Sequence, residues 1–140
     1  MKILKMAGLA LLATFLLIQL IPIGRDHTNP PIVREPNWDS PRTRELVQAA
    51  CFDCHSNETE WPWYSNVAPI SWLVYKDTTE GRERLNFSDW GKCRDCSPEE
   101  IKEVLLSGEM PLPIYLITHP EARLTDAEKQ EIISGIANIK

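Results

Sequence analysis

Two thiols and an imidazole stand together in Cys51-Phe52-Asp53-Cys54-His55. Cys-x-x-Cys-His is the attachment signature of a c-type haem. The two thiols add across the two vinyl groups, and two intervening residues let both sulfurs reach one macrocycle. The neighbouring imidazole then meets the iron as an axial ligand, and axial ligands set how haem iron behaves. Three other chemistries use paired cysteines. A four-thiolate zinc site would join Cys51 and Cys54 to Cys93 and Cys96, but the interval between the pairs exceeds that of common zinc ribbons and His55 is left without a role. A thioredoxin-like dithiol wants a βαβ setting that the pattern lacks. Two plain disulfides are the last alternative. One covalent haem c is the reading adopted.

The second axial ligand is sought among the remaining soft and imidazole groups. Of three methionines, Met1 and Met6 belong to the apolar N-terminus, which leaves Met110. It sits in Glu109-Met110-Pro111-Leu112-Pro113, a proline-braced loop, whereas a gap-filling methionine more often lies on a helical stripe. His119, in Thr118-His119-Pro120, is the rival ligand, and an open sixth position is the third choice. His27 falls in a polar, proline-rich stretch and reads as a solvated bystander.

These groups need elements to carry them. Residues 40–140 read as one small all-α domain. Ser40-Pro41 resembles an N-cap with proline at the first helical position, opening the helix that leads into Cys51. Its inner face is Leu46, Val47 and Ala50. A second helix is expected over 71–80, stopping near Gly81. Ser97-Pro98-Glu99-Glu100 and Thr125-Asp126-Ala127-Glu128 both have the form of capping boxes. The first opens a helix with Ile101, Val104 and Leu105 inward, ending at Gly108. The second opens a last helix with Ile132, Ile133 and Ile136 inward. No segment shows sustained period-two alternation.

The N-terminus predicts a membrane segment. Lys2 and Lys5 precede an uncharged run from Met6 to Ile23, about 27 Å as a helix against a hydrocarbon core of about 30 Å. No convincing cleavage site follows, so residues 1–23 are expected to be a transmembrane signal anchor. The positive flank then places the following domain outside the cytoplasm. That expectation locates the protein as single-pass in the cytoplasmic membrane, its C-terminal domain in the periplasm or outside the cell. Residues 24–39, rich in proline, read as a tether. The chain has a formal charge of −5, which becomes −7 once Lys2 and Lys5 are set aside. Such a surface disfavours nucleic acid and suits a partner with a basic face.

The order of helix, attachment motif, irregular loop, helix, methionine loop and terminal helix resembles the class I cytochrome c fold. That resemblance implies a proline carbonyl accepting the proximal imidazole's N–H, with Pro69 preferred over Pro62. A narrower resemblance is carried by Cys51 to His55, WPWYSNVAPISWLV (61–74), GRERLNFSDW (81–90) and GEMPLPIYLITHPEARLT (108–125). Together these resemble the bacterial haem-binding domain family, small and often membrane-anchored monohaem proteins. The resemblance implies attachment at Cys51 and Cys54, His55 as proximal ligand and Met110 as distal ligand. The chain departs from that pattern at Cys93-Arg94-Asp95-Cys96, which has no following histidine. A disulfide between Cys93 and Cys96 is expected there, closing a loop too tight to add much chain entropy.

Five aromatics, Trp61, Trp63, Tyr64, Trp72 and Trp90, are candidates to wrap the haem or bond a propionate, with Arg82 or Arg84 assisting, although ordinary core packing is the stronger reading for each one taken singly. The expected function is one-electron transfer between redox partner proteins, respiratory components of the membrane among them. The alternative is a haem sensor or small peroxidase with a displaceable sixth ligand, using His119 or Glu109 for acid–base work.

Overall fold

The computed structural model describes residues 1–92 and 97–139. Among the described residues five α-helices run in chain order: α1 (Lys2–Ile18), α2 (Pro41–His55), α3 (Ile70–Arg84), α4 (Pro98–Ser107) and α5 (Asp126–Ala137). Short 3-10 turns occupy Trp63–Asn66, Tyr115–Ile117 and Pro120–Ala122. Among the described residues the one strand-like pairing is an isolated parallel bridge between Arg34 and Asp89. The all-helical expectation agrees with this. The chain forms two compact units, Met1–Thr28 with Trp61–Asp77, and Asn29–Glu60 with the residues from Thr78 onward.

In the first unit, α1 is shorter than the apolar run that suggested a membrane anchor. It covers 17 residues, about 26 Å at 1.5 Å per residue. The chain leaves the α-helix at Gln19, where the amides of Gln19, Leu20 and Ile21 turn back to the carbonyls of Leu16, Leu17 and Ile18. Pro22 then has no N–H to continue the ladder. The Gln19 side chain is tied to backbone elsewhere in the unit: Nε2 donates to the Ala68 carbonyl at 2.9 Å and Oε1 accepts the Ala68 N–H at 3.0 Å. No helix among the described residues is long and apolar enough to cross a membrane. The expected transmembrane helix over 1–23 is therefore corrected, and the single-pass location that rested on it is withdrawn. His27 is also not the solvated bystander expected, since it stacks on Trp61 with ring centroids 4.6 Å apart.

The second unit contains the attachment motif. Ser40 caps α2 by accepting the Thr43 N–H at 3.1 Å, with Pro41 at the first helical position. Ser97 caps α4 by accepting the Glu100 N–H, and Gly108 ends that helix in the left-handed region at φ 75°. Thr125 and Glu128 form the reciprocal capping box at the start of α5. The core is Leu46, Val47 and Phe52 of α2, Phe87, Ile101 and Leu105 around α4, and Ile132 and Ile136 of α5. Trp38, Phe52 and Trp90 gather around Phe87, with centroids 5.6, 5.7 and 5.7 Å from its ring.

Residues 29–39 are laced along this unit rather than trailing from it. Val33 and Arg34 amides donate to the Ser88 carbonyl, and the Trp90 amide donates to that of Arg34. Pro31 accepts from the Asn57 side chain, and Glu35 pairs with Arg44. Helix α3 runs past its expected stop because Gly81 is buried against α2 rather than ending the helix. The expected Cys93–Cys96 disulfide lies outside the described residues.

Candidate functional site

Helix α2 delivers the attachment motif to the second unit. Cys51 is packed against the core, with Phe52 buried beside it. Cys54, three residues on, lies one helical turn away on the same side. Its backbone carbonyl faces Gly81, so closely that a Cβ there would overlap it. No disulfide joins Cys51 to Cys54. Burial pushes the Cys51 thiol up to about 12, the nearby Cys54 adding to the effect, so it is a neutral thiol in this environment.

The imidazole of His55 is oriented from the last turn of α3 and the residue that follows it. Its Nδ1 lies 3.1 Å from the carbonyl oxygens of both Gly81 and Leu85. With two acceptors at one nitrogen, Nδ1 bears the proton and Nε2 keeps its lone pair. Desolvation pulls the imidazole pKa down, with the two carbonyls opposing it. The carbonyls at this nitrogen are thus not that of Pro69, which accepts the Trp72 N–H at 3.1 Å within the first unit. The signal from which they could be found is an isolated glycine in a helical pattern, which marks close approach as readily as a stop.

Beside this imidazole the second unit holds a partly open cavity of about 420 Å³, within the span typical of small-molecule and cofactor sites. Cys51, His55 and Met110 all line it. Cys54 is not among the lining residues. The walls are apolar, supplied by Leu85, Phe87 and Ile101 together with Leu105, Ile132 and Ile136. Glu100, Glu103, Glu109 and Arg84 supply its charged edge. Met110 follows the left-handed turn at Gly108, and its N–H donates to the Val104 carbonyl at 3.0 Å.

The donor set suits a haem: a neutral imidazole with a free nitrogen, a thioether and a thiol border one apolar space. No group of three or more His, Cys, Asp or Glu side chains among the described residues is arranged to hold a bare metal ion.

His119 lies elsewhere. Its ring stacks on Tyr115 at 3.9 Å, and its Nε2 is 3.9 Å from the Asp53 carboxylate. Of the two arginines, Arg84 borders the cavity, while Arg82 binds the Ser56 carbonyl, Asn29 and Thr59. Of the five aromatic candidates, Trp90 stands in the second unit and is not part of the cavity lining. Trp90 packs on Phe87, and Trp63 is largely exposed.

No curated protein and no solved structure matches the chain. The family of haem-binding domains matches it over residues 13–138. A match across that much of the sequence makes the protein a member of the haem-binding domain family.

Proposed function

We propose that this haem protein is a one-electron carrier of c type, with one haem that Cys51 and Cys54 would bond covalently and that His55 and Met110 would ligate. When bound, such a haem supplies a one-electron iron couple whose potential the protein sets through ligands and burial. The observation carrying this reading is that His55, its tautomer fixed by two carbonyls, shares an apolar cavity with Cys51 and Met110.

Each residue has a definite task. The Gly81 and Leu85 carbonyls hold the imidazole in one orientation and make Nε2 a stronger donor, as partners of metal-bound histidines do. The prolines on either side of Leu112 restrict the backbone that follows Met110, so the thioether is presented by a stiff segment. Leu85, Phe87 and Ile101 exclude water, which favours retention of both ligands and keeps rearrangement small. His119 has its ring stacked on Tyr115 and its Nε2 near Asp53, which supports Met110 as the ligand. Glu100, Glu103 and Glu109 give the cavity edge an acidic character suited to a redox partner with a basic face.

The test uses the full chain matured with haem-attachment machinery. Ferric protein is expected to show the far-red absorption band of methionine sulfur on haem iron. Met110→Ala abolishes that band and His119→Ala retains it. Loss of the band in His119→Ala alone contradicts the assignment.

A further inference from the structure

We propose that Tyr115 is a positioning residue that straps the methionine loop to the attachment helix, and that the strap keeps Met110 on the iron. The inference rests on the reading of Met110 as the distal ligand. The phenol of Tyr115 donates to Oδ2 of Asp53 at 2.8 Å, across 62 residues of sequence. Asp53 is the second intervening residue of the attachment motif, two positions before His55. Tyr115 stands five positions after Met110. One hydrogen bond therefore joins the segments that carry the two axial ligands.

Both ends of the strap are fixed. On α2, Oδ1 of Asp53 accepts the Glu60 N–H at 2.9 Å, and the Asp53 carbonyl accepts the Thr59 hydroxyl at 2.7 Å. On the loop, the Tyr115 amide donates to the Leu112 carbonyl at 2.9 Å, closing a turn straight after the methionine segment. The imidazole of His119 backs the phenol ring, nearly parallel at 11°. Its Nδ1 is also 3.1 Å from the Tyr115 carbonyl, so ring and backbone are held by one residue. Burial and the Asp53 charge push the phenol's pKa upward, which keeps it protonated as the donor.

The consequences follow from where the loop is tied. At its start, Met110 is anchored by its own N–H to Val104 at the end of α4. Between that anchor and Tyr115, Pro111 and Pro113 have fixed φ and no N–H, so the segment swings as a stiff piece. A stiff piece pinned at both ends holds its thioether in place. Released at Tyr115, it can pivot about the Val104 bond and carry the thioether off the iron. A partly buried hydrogen bond to a carboxylate is strong enough that losing it raises the off-iron population about tenfold.

The test compares haem-loaded parent, Tyr115→Phe, Asp53→Asn and Met110→Ala. Tyr115→Phe keeps the stacked ring and removes only the donor. It is expected to bind cyanide in the ferric state about tenfold faster than the parent, with unchanged covalent haem per chain. Asp53→Asn keeps one oxygen for the Glu60 N–H and can donate its amide N–H to the phenol oxygen. It retains a neutral link and is expected to fall between the parent and Tyr115→Phe, a graded response that a general loosening of the fold does not produce. Should Tyr115→Phe fail to mature, the cyanide rate of Asp53→Ala against Asp53→Asn reads the same bond. A parent-like rate in Tyr115→Phe, with Met110→Ala fast, overturns the strap and leaves the ligand assignment standing. A parent-like rate in Met110→Ala overturns both.

Discussion

The carbonyl oxygen of Cys54 lies against the Cα of Gly81, leaving no space between α2 and α3 for even a methyl group. This contact sits next to the functional one, because the carbonyls of Gly81 and Leu85 are those that reach His55. Close approach at Gly81 is what brings that turn of α3 within hydrogen-bonding distance of the imidazole.

Gly81→Ala is therefore expected to destabilise the protein by about 1–3 kcal/mol through overpacking, although alanine favours a helix interior by about 1 kcal/mol. Urea denaturation measures the net sign. A variant more stable than the parent would show that the helices have room to spare.

Glu35 receives both Arg44 Nε and Nη2 at 2.8 Å and the Trp38 indole N–H at 2.8 Å. Arg44 also sits over the Phe52 ring at 5.3 Å, so the pair buttresses the attachment motif. The Arg44 bonds hold the Glu35 carboxyl below its ordinary value, with burial opposing them. The folded state thus releases this proton more readily than the unfolded chain, and the stabilisation is full above the unfolded value near 4.5. It is lost as pH falls through the lower folded value. Glu35→Gln should cost about 1–3 kcal/mol at neutral pH. The gap between parent and variant should narrow steadily below about pH 4.5. An equal gap in neutral and in strongly acidic buffer would remove Glu35 from the account.

Much of the second unit was legible from residue types. Ser40, Ser97 and Thr125 marked helix starts because each cap satisfies an amide that the helix itself cannot. The stripes of α2, α4 and α5 gave the core because burial follows helical periodicity. The approach of Cys51, His55 and Met110 to one cavity was implied by chemistry and by resemblance rather than by periodicity. What could not be read was tertiary. Gly81 looks the same in sequence whether it ends a helix or lets two helices touch. Residues 29–39 have the composition of a linker, yet their backbone groups find partners at Ser88 and Trp90. The apolar run to Ile23 was read as one helix, but Gln19 finds acceptor and donor at Ala68, and the helix ends before it. The partnership of Tyr115 with Asp53 spans too much sequence to be inferred from either residue.

The proposed function requires a single haem bonded through thioethers to Cys51 and Cys54, with His55 on its iron. Intact mass of the full chain, matured with haem-attachment machinery and then denatured in acid, tests this most directly. A mass increased by one haem that survives denaturation is expected, and its loss when both Cys51 and Cys54 are changed to alanine. A mass equal to the bare polypeptide would contradict it.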